Sequence, residues 1–251
     1  RVVRFLDSIK EDCEELYLLG DVIDFCQVSL PQDPMAYTGL NLALAKTGQL
    51  PDRMFDFPQA GREGLLSDFQ RNMVSCVITG EAFYHLGLIN QVLRVYFDSQ
   101  ASILNASRSA RFSHRIAECY LINGRCDVAA KYIRQLKKTL FYSQWAREAE
   151  QYLGHPGQVA QSKRWQSIVR RRLPNMVLYS VSDMSEMLLL LYKQSPENKL
   201  ALQYALAVDL LNGDIDHFMR NLPLTQPGCK SPAEYQNVPK SYQEAALFAM
   251  M

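Results

Sequence analysis

Four histidines, at positions 85, 114, 155 and 217, are the side chains best suited to proton transfer or metal ligation near neutral pH. Their spacing supports neither role. No two stand three or four residues apart, there is no HExxH, and the six cysteines, at 13, 26, 76, 119, 126 and 229, form no CxxC pair and no cysteine–histidine cluster. No metal and no cofactor is therefore expected. A GxSxG elbow and a phosphate-cradling glycine loop are absent too, so no catalytic residue is assigned. His155 stands beside Pro156 and Gly157 in a turn, and His217 lies on a polar helix. His85 and His114 differ, because the helical register sets both on first helices of successive units, near Tyr84, Glu81, Arg111 and Glu118. Two readings of that neighbourhood stay open: the wall of a binding groove formed by Tyr84, His85, Arg111, His114 and Glu118, or the site of an enzyme built on a helical scaffold. The acidic pairs Asp21 with Asp24 and Asp214 with Asp216 fall at helix starts, where carboxylates cap exposed amides and offset the helix dipole.

Charge is unevenly spread. Residues 105–175 carry 14 Lys and Arg against 4 Asp and Glu, whereas the rest of the chain carries 13 against 22. Lys131, Arg134 and Lys138 recur at helical spacing and share one face; Arg170, Arg171 and Arg172, with Lys163 and Arg164, form a second cluster. Phe141, Tyr142, Trp145 and Trp165 are interleaved with them. The plainest reading is a solvated face whose cations pair with acidic flanks of neighbouring units. An acidic peptide or protein partner, and docking on an anionic membrane through residues 131–172, are the alternatives. A formal net charge of +1 argues against a nucleic-acid partner, whose binding domain is normally basic throughout.

The elements that position these residues are paired helices. Ile116, Ala117 and Tyr120 fall on one stripe, Asn123 and Gly124 end that helix, and Val128, Ala129, Tyr132, Ile133 and Leu136 form the next. Gly80, Phe83, Gly87 and Val92 repeat the pattern, with paler copies around Gly20, Gly48 and Gly213, a period of roughly 34 to 40 residues. Ala117 and Ala129 stand where two antiparallel helices approach most closely. Upstream, helical stretches are expected over about 1–18 and 21–30, then from Pro34 to Gly48; downstream, Lys199–Leu211 is answered by Ile215–Leu222, a loop spans Pro223–Val238, and a last helix follows Pro239. Residues 154–183 read as an irregular connection: a turn at His155–Pro156–Gly157, one helix from about Gln158 to Arg172, and Met176–Val181 as the one extended candidate. Five of the six cysteines lie in apolar helical stretches and read as buried thiols.

At these residues the chain resembles the tetratricopeptide repeat. The small, aromatic, glycine and alanine slots of that hairpin hold Ala117, Tyr120, Gly124 and Ala129 in one unit, and Gly80, Phe83, Gly87 and Val92 in another. The likeness covers about 70 residues, and Ser113 and Cys76 stand where that family has tryptophan. The runs Asn41 to Leu50 with Met54 and Phe55, Lys138 to Tyr142, and Asn198 to Gly213 look like a bacterial family of unknown function in which a multi-span membrane region precedes a helical-repeat portion. These resemblances imply recognition and assembly, and supply no catalytic residues.

The expected architecture is all-α, a right-handed array of antiparallel helical hairpins over 1–153, the connection 154–183, and a C-terminal hairpin and terminal helix over 184–251. The expected function is a non-enzymatic protein- or peptide-binding scaffold. Arg1 opens directly into an apolar-periodic segment and the longest aliphatic run is Leu188–Leu191, so the chain reads as the soluble portion of a longer protein, and the resemblance to the bacterial family implies that a membrane region precedes it. No compartment is assigned.

Overall fold

The computed structural model describes residues 34–67, 73–103, 107–173, 184–227 and 237–250. The stretches 1–18 and 21–30, the acids Asp21 and Asp24, Cys13, Cys26, Cys229 and the Met176–Val181 candidate lie outside them. The described chain is all-α, as expected, with no strand. Its helices are α1 (Pro34–Lys46), α2 (Leu50–Arg53), α3 (Met73–Leu86), α4 (Ile89–Ala101), α5 (Ala110–Ile122), α6 (Cys126–Leu136), α7 (Ser143–Glu150), α8 (Pro156–Gln161), α9 (Gln166–Arg171), α10 (Met184–Gln194), α11 (Lys199–Asn212), α12 (Ile215–Asn221) and α13 (Lys240–Ala249). Short 3-10 turns occupy Met54–Asp56, Gly61–Gly64 and Leu222–Thr225, the last overlapping the start of the loop expected from Pro223. Among the described residues no helix is long and apolar enough to cross a membrane.

Four helices stop in the same way, at glycines legible from the sequence. After α5, Gly124 N–H bonds the Leu121 carbonyl at 3.0 Å and Arg125 N–H the Tyr120 carbonyl at 2.8 Å, the paired bonds of a Schellman motif, with Gly124 at φ 73°. Equivalent pairs close α1 at Gly48, α3 at Gly87 and α11 at Gly213. In each case the next helix packs on the one before. The start of α5 is set by Ser109, whose hydroxyl accepts from Phe112 N–H.

Two compact units divide the chain: Arg1–Ser67 with Met184–Leu188 and Lys199–Met251, and Asp68–Asp183 with Leu189–Asn198. In the second, α3 packs on α4, α4 on α5, α5 on α6 and α6 on α7. Helix α6 buries Ala129, Ile133 and Leu136 at three- and four-residue spacing, and Ala117 and Ala129 are both fully buried on the two helices, which pack on one another. Gly80 serves a similar end, since a Cβ there would collide with the Tyr96 ring. Cys76 and Cys119 are buried free thiols and Cys126 is a half-buried one.

Residues 156–171 form two short helices in place of the single helix expected. Pro156 takes the first helical position of α8, Ser162 leaves the helix with ψ 127°, and the step places Trp165 inward, 1% exposed, before α9 begins. Helix α8 packs on α5 and α9 on α3.

In the first unit α11 is buried on nearly every side, from Leu200 to Asp209, and packs on α1 and α2. Asn41 reaches from α1 to the Gly64 carbonyl at 2.8 Å. Asp214 caps α12, accepting from His217 N–H at 3.0 Å, as expected of that acid. Phe218 and Tyr242 meet edge to face at 5.3 Å and tie α13 to α12.

Candidate functional site

Among the described residues of the second unit, buried charges gather between α3 and α5. Glu81 lies on α3 and Glu118, 37 residues further on, lies on α5. Arg115 bridges them, pairing with Glu81 and, at 2.5 Å, with Glu118. Its guanidinium also lies 4.0 Å over the Tyr84 ring, and Tyr96 donates to Glu81 at 3.1 Å. Burial opposes the charge on Arg115, but the carboxylates of Glu118 and Glu81 outweigh it and hold its pKa above the ordinary arginine value. For Glu118 burial likewise works against ionisation and is overcome, chiefly by Arg115, so its carboxyl titrates below the usual range.

This face is covered by the chain itself. The Trp165 indole donates to Glu118 at 2.7 Å, Arg164 approaches the same oxygen at 3.6 Å, and Ile168, on α9, is buried as well. Gly87, at φ 91°, lets the Arg171 backbone come close: a Cβ there would lie 2.8 Å from the Arg171 carbonyl oxygen. The groove expected from the sequence is therefore corrected in part. Tyr84 and Glu118 are interior residues, 7% and 3% exposed, Glu118 beneath the Trp165 indole and Tyr84 beneath the Arg115 guanidinium. His114 is wedged between Tyr142, stacked at 4.9 Å, and Trp145, edge-on at 4.2 Å, and burial lowers its pKa to about 4. His85, edge-on to Tyr84 at 5.7 Å, and Arg111 are half-buried. Arg115 is the member that the sequence did not single out, and Arg164 and Trp165, expected in a basic and aromatic stretch, belong to this site.

The basic residues separate into two kinds. Lys131, Arg134, Lys138 and Arg170 are exposed, and none is in an ion pair among the described residues. Arg171 and Arg172 are half-buried, and Arg172 donates to Asn123 at 3.0 Å, so these two serve packing within the unit. Pairing with acidic flanks accounts for Arg125 with Asp127 and Lys137 with Glu150, and leaves the α6 face unmatched.

In the first unit Ser185, Asp209 and His217 converge, which sequence spacing did not disclose. Ser185 donates to Asp209 Oδ1 at 2.6 Å, and His217 Nδ1 lies 2.9 Å from the same oxygen. A hydrolytic triad needs the carboxylate on one imidazole nitrogen and the serine on the other; here both partners turn to one carboxylate oxygen, and Ser185 is 3.5 Å from Nδ1. The cluster therefore does not activate Ser185. Among the described residues no group of three His, Cys, Asp or Glu is placed to hold a metal ion.

Fold and site together define a protein that is all-helical over its described residues, with a buried ionic network closed by a segment of its own chain. The chain belongs to a family of unknown function (DUF6057), whose model matches residues 20–251. No curated protein and no solved structure matches it.

Proposed function

We propose that the chain is a non-enzymatic scaffold that binds a protein or peptide segment on the face of α3 and α5. One observation carries this reading: that face already grips a helical segment, residues 156–171, through a buried indole hydrogen-bonded to Glu118. An aromatic anchor seated in a desolvated pocket against a charged acceptor is the chemistry by which peptides are recognised. The 37-residue recurrence of Gly80, Glu81, Phe83 and Gly87 as Ala117, Glu118, Tyr120 and Gly124 supports a right-handed, tetratricopeptide-like stacking of the hairpins. The resemblance to proteins with an upstream multi-span region adds the proposal that this is the exposed portion of a membrane-anchored protein.

The test uses a labelled peptide of residues 154–173 and the 251-residue chain. With Trp165→Ala loosening the segment in place, the peptide should bind in trans, read by fluorescence anisotropy, and the unaltered chain should bind it far less. Cross-links from a partner of the full-length protein should map to α3, α5 and the half-buried rim at His85 and Arg111. Failure of the peptide to bind the altered chain, with its helix content intact by circular dichroism, would overturn the reading.

A further inference from the structure

The turn joining α6 to α7 carries the two most exposed large apolar side chains among the described residues, Leu140 at 85% and Phe141 at 87%. They are adjacent, and the turn that presents them is built. Thr139 bonds the Leu136 carbonyl through both its hydroxyl, at 2.7 Å, and its N–H, at 2.9 Å. Lys137 pairs with Glu150 across the turn, and Tyr142, next after the pair, is stacked on His114. Fraying therefore does not explain the exposure; ordered backbone holds a leucine and a phenylalanine out in water, which marks an interaction site.

The surroundings select the partner. Lys138 precedes Leu140 by two residues, and Arg134 and Lys131 lie one and two helical turns back on the same side of α6, within about 15 Å by helix rise. All three are exposed and none is in an ion pair among the described residues. A projecting apolar pair set in unmatched cations complements an anionic lipid leaflet, whose headgroups take the lysines and arginine while the hydrocarbon boundary takes the apolar tip. Leu247, Phe248 and Met250, on α13 and at its end, are exposed too, but the cation two turns before Leu247, Lys240, is paired with Glu244, and nothing shows what covers them.

We propose that the α6–α7 turn is an interfacial docking tip for anionic bilayers, with Leu140 and Phe141 entering the interface and Lys131, Arg134 and Lys138 holding the phosphates. This is independent of peptide binding on the α3–α5 face.

The experiment is sedimentation of the 251-residue chain with vesicles of phosphatidylcholine, with and without phosphatidylserine. Binding should require phosphatidylserine and should fall away as salt shortens the Debye length from about 10 Å to about 3 Å. Leu140→Ser with Phe141→Ser should weaken it by about tenfold or more, since two large apolar groups no longer leave water. Reversing charge at Lys131, Arg134 and Lys138 should weaken it comparably. Neither set should move the thermal midpoint, because these side chains are exposed. In a Phe141→Trp chain, emission should shift to the blue when phosphatidylserine vesicles are added. No binding by the unaltered chain, equal binding by the serine variant, or an unshifted Phe141→Trp spectrum overturns the proposal. Loss of self-association in the serine variant, without vesicle binding by the parent, would assign the tip to a protein contact instead.

Discussion

The two compact units hold buried polar groups by opposite means. Around Arg115, charge meets charge: two carboxylates converge on one guanidinium that lies over the Tyr84 ring, an indole donates to one of those carboxylates, and both Glu118 and Arg115 stay ionised against burial. Around Asp209, a carboxylate 2% exposed has one hydroxyl and one imidazole on Oδ1, while Oδ2 accepts no hydrogen bond from any described residue. There burial dominates and raises the pKa of the carboxyl. What separates them is the number of compensating charges within reach. A buried ion stays charged when opposite charges surround it, and drifts toward neutrality when mainly dipoles do.

The contrast breaks most visibly at Arg115. Replacing it with Met leaves Glu81 and Glu118 buried without their cation, and should cost about 3 to 5 kcal/mol in chemical denaturation. Adding Glu81→Gln and Glu118→Gln should return part of that loss; no return would mean that side-chain packing, not charge, holds the site.

Acid should divide the units next. His114 titrates near 4 in the fold against about 6.5 when exposed, so the unfolded chain binds the extra proton. Its contribution is complete above about pH 6.5 and is lost as pH falls toward 4, up to about 3 kcal/mol. Glu118, held low, contributes in the same direction further down. Asp209 is raised, so protonation favours its folded form and acid helps it. Hydrogen exchange from pH 7 to 4.5 should therefore show α5 amides losing protection while those of α11 do not, and His114→Phe should flatten the acid limb. Equal loss in both helices would refute the assignment.

Turn glycines sharpen the comparison at a smaller scale. Gly87→Ala adds a left-handed penalty to a collision with the Arg171 carbonyl and should cost about 2 to 3 kcal/mol. Gly213→Ala, with φ 72° and open space around it, should cost only about 1 kcal/mol. Smallest of all should be Asp209→Asn, within about 1 kcal/mol of zero by thermal melting, because Oδ1 keeps both its contacts.

How much of this was legible follows from chain distance. Gly48, Gly87, Gly124 and Gly213 are readable because a Schellman motif is decided within six residues. Ala117, Ala129 and the apolar stripe of α6 are readable because helical period alone sets them on one face. The site is another matter. Glu118 carries a visible charge, but that it lies beneath Trp165 depends on a segment 47 residues away folding back across α3 and α5, which no local pattern encodes. The break at Ser162 is equally hidden, since the inward turn of Trp165 draws the chain out of a helix that composition would continue.

Both tryptophans of the chain, Trp145 and Trp165, fall in the unit that contains the Arg115 network, and both are at least nine-tenths buried. Indole emission is thus blind to the other unit, whereas far-ultraviolet ellipticity sees the helices of both. Following the two signals through one melt would show whether the units come apart together or in sequence, with no label added.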